Sequence, residues 1–405
     1  MNAIADMARD SGRSYLGSHH WITFRLDLQR LPWDFWERIG EARSKCRHLA
    51  YSPLPPTLAQ ELSALYLAKG VHATTAIEGN TLTEEQALDA VKGQLSLPRS
   101  QEYLGQEIEN IVQACRDIEQ GIFESDGTFT ITPELLGSLN ARVLEGLEVE
   151  DHVVPGELRR ASVGVGGVYR GAPWEDCGYL VSLLCDWLNG EDFRAADPRG
   201  GFLRAMLRAA VAHVYIAWIH PFGDGNGRTA RLVEFGILTA AGVPTVAAHL
   251  LSNHYNATRS AYYRQLNRAS QSGGDLDGFL LYAISGFVDQ LQDQLKRVQG
   301  ANLEAAWTVY VHESFAGDHT PAPRRQRDLV LALGLDWVAR DDIATLSPKL
   351  ARDYASKGTK TVTRDINALV DRGLIERTTS GTIRARREIM LGFLPPVAAT
   401  LVTED

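Results

Sequence analysis

The chain is constrained most by twelve residues, His220-Pro221-Phe222-Gly223-Asp224-Gly225-Asn226-Gly227-Arg228-Thr229-Ala230-Arg231, set between two apolar stretches of helical spacing. Before them, Phe202, Leu203, Met206, Ala210 and Tyr215 recur at helical intervals, and after them Leu232 to Leu238 do the same. A polar, glycine-rich corner joining two apolar helices is therefore expected. Gly223, Gly225 and Gly227 permit positive φ and leave backbone N–H groups unshielded, so a short loop can wrap an anion. The helix expected to begin near Asn226–Arg228 points its N-terminal donors at that loop. Arg228 and Arg231, three apart, share a helical face and can both reach a polyphosphate with forked donors. Asp224 offers a hard oxygen suited to Mg2+ that phosphates hold otherwise. Asn226 can donate to a phosphate oxygen, and His220 can stay neutral near pH 7 and take a proton from a hydroxyl. The string reads as a site for a phosphorylated ligand with a general base beside it.

Two familiar motifs fail on spacing. An EF-hand loop counted from Asp224 would place Arg228 and Phe235 where calcium ligands belong. No GxxxxGK[ST] string of a Walker A loop occurs. The twelve residues do resemble the Fic family signature, HPFx[DE]GNGRxxR, at every specified position. The resemblance implies a mostly α Fic helical fold with a short β-hairpin flap, and transfer of AMP from ATP, with Mg2+, to a Tyr, Thr or Ser hydroxyl of a target protein. Carried onto this chain, His220 would deprotonate the target hydroxyl and Asp224 would hold Mg2+. Asn226 and the amides of Gly223, Gly225 and Gly227 would bind around the α-phosphate, Arg228 the β-phosphate and Arg231 the γ-phosphate. Gly227 stands where relatives of the phosphotransferase kind carry Lys, which sets this chain with the nucleotidyltransferases.

A second string, Thr74-Thr75-Ala76-Ile77-Glu78-Gly79-Asn80, fits [ST]xxxE[GN]. It resembles the inhibitory helix motif of one Fic subclass, which lies N-terminal to the catalytic string as here. The resemblance implies that Glu78 pairs with Arg231 and turns ATP into a non-productive pose, and in some relatives this glutamate also assists removal of AMP. From the residues, Val163-Gly164-Val165-Gly166-Gly167-Val168-Tyr169 has hairpin chemistry, with strand formers around paired glycines. In Fic proteins such a flap lays the target chain beside the catalytic His by strand addition, and Pro155-Gly156-Glu157-Leu158-Arg159 resembles the segment leading into it. Tyr262 and Tyr263 resemble a later family helix near the nucleotide base, although core packing is the plainer reading.

Around these motifs, helical patterns are expected from Thr57 (as N-cap) to Glu78, after the Thr83/Gln86 capping box, around Ile108–Cys115, over Tyr179–Leu188 and over Tyr262–Val288. A length of 405 residues suggests two or three domains. We divide the chain into an N-terminal extension (1–50), a helical region with the inhibitory helix (51–145), a catalytic core (146–300), a linker (301–323), a small winged-helix α+β domain (324–390) and a tail (391–405). That last domain is read from helical patterns at Gln326–Leu333, Asp341–Tyr354 and Thr361–Arg372, followed by strands at Leu374–Thr378 and Thr382–Arg386. Charge separates the parts: 27 lysines and arginines against 39 acids in 1–320, a net −12, but 14 against 9 in 321–390, a net +5. The outward residues Thr361, Thr363, Arg364 and Asn367, with Lys357, Lys360, Arg384, Arg386 and Arg387, suit DNA or a docked protein, with Asp365 and Asp371 weakening the patch.

The four cysteines are scattered without metal-ligand spacing, which argues against a disulfide framework or a zinc site and for a reducing compartment. No apolar leader is apparent and a long uncharged stretch, Phe235 to Leu251, is broken by glycines and Pro244, so a cytoplasmic protein without membrane partners is expected. The leading function is a self-inhibited protein adenylyltransferase. The rivals are a DNA-binding regulator with a nucleotide-sensing body, or a transferase using another nucleotide donor; automodification and a homodimer stay open.

Overall fold

The structure, a computed structural model, describes residues 12–165, 169–194, 201–318 and 320–391. Contacts divide the chain into two compact units, Met1–Leu295 and Lys296–Asp405. In the first, α1 (Trp33–Ala50) is followed by α2 (Pro56–Ile77). Pro56 opens α2 at its first turn, where a missing N–H costs nothing, so Thr57 lies inside the helix rather than capping it. Glu78 is the C-cap residue, and beyond it Gly79 turns the chain at φ +106° while the amides of Gly79 and Asn80 bond back to Ala76 and Thr75. The Thr83/Gln86 capping box forms and starts α3 (Glu84–Val91). Next come α4 (Glu102–Glu124), which buries Ile108, Ile111, Val112 and Cys115, and α5 (Pro133–Val143). The short antiparallel hairpin of β1 (Gly164–Val165) and β2 (Tyr169–Arg170) leads to α6 (Cys177–Leu188).

The centre of this unit is α7 (Gly201–Ile219), with α8 (Asn226–Ala240) packed along it. By length and composition α7 is apolar enough to cross a bilayer, with a mean hydropathy of 1.4, yet 72% of that window is buried in this fold. The far face of α8 meets α4 and α5, and α2 packs on α3 and α9 (Leu250–Ala257). The run Tyr262–Val288 is two helices rather than one, α10 (Arg259–Gln271) and α11 (Asp277–Ser314). Gly273 and Gly274 break it at φ +75° and +90°, and a Cβ on Gly274 would lie 2.4 Å from the Trp21 carbonyl oxygen.

The second unit holds the C-terminal part of α11, so residues 301–314, expected to begin a linker, are helix and supply Trp307 and Val311 to its core. There follow α12 (Pro321–Ala332), a 3-10 turn at Arg340–Thr345, α13 (Pro348–Tyr354) and α14 (Thr359–Asp371). Pro348, capped by Ser347, divides the expected helix 341–354 in two. The strands β3 (Ile375–Arg377) and β4 (Ile383–Ala385) pair antiparallel, and Val338 exchanges both backbone bonds with Ile383 at 2.9 Å. Leu329, Leu350, Leu369 and Ile383 are fully buried between these elements.

Because α2 carries Glu78, its seating matters. Gly70 lets α2 approach His249 so closely that an added Cβ would sit 2.3 Å from the ring. Gly70→Ala should overpack this contact and lower stability by about 1–3 kcal/mol, read as a lower urea midpoint at unchanged m; an unchanged midpoint would contradict this packing.

Candidate active site

The corner between α7 and α8 is held by its own side chains. His220 N still bonds the Ile216 carbonyl at 2.8 Å, as a last helical residue would, but its φ is +51°, costly for a residue with a Cβ. Asn226 closes the turn: its Oδ1 accepts from Phe222 N and its Nδ2 donates to Phe222 O, both at 2.9 Å. Its amide is thus committed to shaping the loop. Gly225, at φ +76°, is the only one of the three loop glycines that uses a left-handed conformation, and α8 starts after it. Gly223 is small for a different reason, since a Cβ there would lie 2.8 Å from Val153. At Gly227 a Cβ would lie 2.2 Å from Glu78 Oε1.

That last contact defines the site. The Glu78 carboxylate occupies the space over the second residue of α8, where exposed amides and the helix dipole favour an anion. Its Oε1 accepts from Arg231 Nη2 at 2.5 Å, and the same nitrogen donates to Thr74 O at 3.0 Å. Arg231 is 2% exposed, and its Nε and Nη1 have no partner among the described residues. Buried guanidinium donors without acceptors are expensive unless a ligand completes them. Burial raises the Glu78 carboxyl, but the charge and hydrogen bond of Arg231 and the charge of Arg228 outweigh it and hold it below its ordinary value. Arg228 lies between Glu107 at 3.4 Å and Asp224 at 3.3 Å, so both arginines are engaged by carboxylates.

His220 is half-buried beside this pair. Burial, then the charge of Arg159, lower its imidazole to about 4, so the ring is neutral through the physiological range. Asp224 has a side chain 54% exposed, and no group of three or more His, Cys, Asp or Glu that could hold a metal occurs among the described residues. One open carboxylate fits an ion held mainly by phosphates and water, not a closed protein cage.

The hairpin reaches this corner through its feet. Leu158 bridges Phe222, Gly171 N bonds Val163 O at 3.2 Å, and a Cβ on Gly171 would touch His220 Cβ at 2.8 Å. Gly164 and Val165 pair with Arg170 and Tyr169 as a hairpin, and the expected tip, Gly166, Gly167 and Val168, lies outside the described residues. Tyr169 turns its hydroxyl inward to the Trp218 carbonyl at 2.9 Å. Tyr262 is 4% exposed, stacks on Tyr255 and meets His213 Nε2 at 2.8 Å, so it packs in the core, whereas Tyr263 is exposed.

Spacing along the chain did not reveal three further residues, nor the contacts of a fourth, Arg159. Asn140 is fully buried: its Nδ2 donates to the Asp224 carbonyl at 2.8 Å and its Oδ1 accepts from Gly156 N at 3.0 Å. Glu107 joins Arg228 to Asn80 at 2.8 Å. Arg159 and Gly171 support His220 from below. All four act across long sequence separations, where only an asparagine or arginine out of place in a helical or turn pattern would have signalled them.

Residues 130–238 match the Fic/DOC family. Protein adenylyltransferase fic-1 of Caenorhabditis briggsae is 31% identical over 244 residues, 60% of this chain and 43% of the relative. Protein adenylyltransferase Fic of Nematostella vectensis is 27% identical over 258 residues, 63% of this chain and 54% of the relative. The chain thus spans about half the length of these curated relatives. Among solved structures, a Fic family protein from Desulfovibrio desulfuricans G20 shares the fold at a TM-score of 0.54 and 20% identity, covering 88% of this chain and 96% of that one. Fic-1 from C. elegans does so at 0.52 and 24%, covering 66% and 73%. Residues 130–238 of this chain thus form a Fic domain, by their match to the Fic/DOC family.

Proposed function

We propose that this chain transfers AMP from ATP to a Tyr, Thr or Ser hydroxyl of a target protein, and that Glu78 restrains the reaction. One observation carries the reading: a carboxylate seated on a buried arginine at a helix N-terminus, within the same corner as a neutral imidazole. A triphosphate supplies acceptors for the open Arg231 donors and for the loop amides, and the nucleotidyltransferase relatives act through nucleotides of this kind. His220 accepts the target hydroxyl proton as its oxygen forms a bond to the α-phosphorus. The bond from that phosphorus to the bridging oxygen breaks, and pyrophosphate leaves. Such a displacement depends on charge neutralisation and in-line positioning more than on covalent help. Mg2+, when bound beside Asp224, would neutralise phosphate charge. With Glu78 on Arg231, the γ-phosphate loses its arginine and the α-phosphorus is turned from line. The hairpin edge is the surface on which an extended target segment adds as a strand.

The C-terminal unit supports a second, separate reading. We infer that α12, α13, α14 and the β3–β4 hairpin form a winged helix whose α14 meets duplex DNA; the order of three helices followed by a hairpin supports the reading. Asp365, which in sequence dilutes the basic patch, is 1% exposed and accepts from Arg325 at 2.7 Å, Gln326 at 2.9 Å and Tyr354 at 3.2 Å. The exposed face keeps Lys360, Arg364 and Asn367 beside Arg340, along a groove of about 520 Å3 in which Asp371 is the one acid. Lys357, Lys360 and Arg364 have no ion pair among the described residues, whereas Arg384 of β4 and Arg387 just beyond it are spent on Glu376 and Glu304. A donor-rich face without large apolar side chains suits phosphates and base edges.

Three outcomes are expected. In a Glu78→Gly background, His220→Ala should lower labelling from radioactive ATP, of itself or of lysate proteins, by at least about 100-fold, with ATP affinity by calorimetry nearly unchanged; equal loss of both would remove His220 as the base. The low pKa of His220 means that its base form is lost only as pH falls towards about 4, and Glu78→Gly removes a charge that raises it. The acid limb of the rate profile should therefore fall below pH 5, and a limb near 6.5 would contradict a neutral buried base. For DNA, a mixed-sequence duplex should bind the full chain in low salt, with Lys360→Ala/Arg364→Ala reducing the salt slope by about 2; absence of any shift at low salt would leave the face to a protein partner.

A further inference from the structure

Arg159 is a buried cation. It is 4% exposed and makes no ion pair among the described residues. Every recorded side-chain hydrogen bond goes instead to a main-chain carbonyl. Nε donates to His220 O at 2.7 Å and Nη1 to Ala161 O at 2.6 Å, while Nη2 donates to Ala172 O and, at 3.3 Å, to Ile219 O. Its own amide donates to Pro221 O at 2.9 Å, beside the Leu158–Phe222 bridge. Desolvation lowers the pKa of this guanidinium, which marks the cost of keeping it here.

The four carbonyls belong to two places. Ala161 and Ala172 are the feet of the β1–β2 hairpin, one on each side; Ile219 and His220 are the end of α7 and the base. One planar fork therefore ties both ends of the hairpin to the main chain of the imidazole that stands beside it. Gly171 closes the same contact, since a Cβ there would lie 2.8 Å from His220 Cβ and 3.0 Å from Arg159 Nη2. The tie also accounts for how His220 is kept at φ +51°, a conformation nothing in its own side chain favours. A lysine has a single ammonium and cannot span carbonyls on opposite sides of a fork.

We propose that Arg159 is a positioning residue that locks the hairpin edge to the His220 main chain, so that a hydroxyl presented along the hairpin meets the imidazole. The inference rests on the AMP-transfer reading and deepens it, because proton transfer needs heavy atoms within hydrogen-bond reach and a strand laid on a hairpin inherits the hairpin's place. The charge of Arg159 acts in the same direction as burial on the His220 ring, against Glu78 and Asp224, which also face it.

The test compares Glu78→Gly with Glu78→Gly/Arg159→Lys in the full chain. Arg159→Lys should lower the rate of protein labelling at saturating ATP on the order of 100-fold, with KM for ATP and calorimetric ATP affinity held within about threefold. A rate within threefold of the parent overturns the proposal. So does loss of ATP affinity and of the thermal transition together with the rate, which is what a general support of the fold would give. Where Arg159→Lys does not fold, Arg159→Gln is read by the same criteria. Should Glu78→Gly itself label nothing, the AMP-transfer reading is what has failed. The tie is then judged by amide exchange in the Arg159 variant: faster exchange at 161–165, 169–172 and 219–222 together upholds it, and unchanged exchange at the hairpin feet refutes it.

Discussion

The contact between the Glu78 carboxylate and the Arg231 guanidinium, at 2.5 Å over the first turn of α8, is the constraint around which the site is arranged. Each partner is in place for its own reason. Arg231 is buried and held against the Thr74 carbonyl of α2, so whatever anion enters the corner must come to it. Glu78 arrives as the C-cap of a 22-residue helix whose stop at Gly79 fixes where the carboxylate points. The absence of a side chain at Gly227 leaves the space that the carboxylate fills. An acidic side chain and a phosphate want the same donors and the same end of the helix dipole. Only one of them fits.

Much of this was legible in the sequence because it is local. The loop, the helix start, the two arginines three apart and the stop after Glu78 all follow from neighbours within a turn or two. The hairpin and the capping box at Thr83 follow in the same way. What was not legible lies between segments far apart in the chain. Asn140 reaches 84 residues to the Asp224 carbonyl and Arg159 reaches 61 to His220. Asn226 looked like a phosphate donor because its type and place allow it, but the nearest acceptor and donor are those of Phe222 on its own loop. The three glycines looked alike, yet one serves a backbone angle and two serve close approaches. The one long helix expected over 262–288 failed at Gly273–Gly274, where the Trp21 backbone, remote in sequence, occupies the room a side chain would need.

The two units divide the chemistry. The acidic first unit keeps its arginines for the corner and pairs them with Glu78, Glu107 and Asp224 at rest. The basic second unit turns Asp365 inward and leaves Lys360 and Arg364 on α14 without ion pairs among the described residues. Within the first unit, His220, the hairpin and the loop before α8 are joined by hydrogen bonds to main-chain groups rather than by pairs of side chains. Their relative places therefore depend on a few buried polar residues more than on the surrounding apolar core.

The most direct test of the competition at Arg231 is the pose of the nucleotide. Wild type and Glu78→Gly should each be crystallised with Mg2+ and a non-hydrolysable ATP analogue. The account predicts the γ-phosphate on Arg231 only in Glu78→Gly, with the α-phosphorus facing His220, and a displaced triphosphate in wild type with the Glu78–Arg231 contact retained. A γ-phosphate on Arg231 in both proteins, with Glu78 still in place, would contradict it.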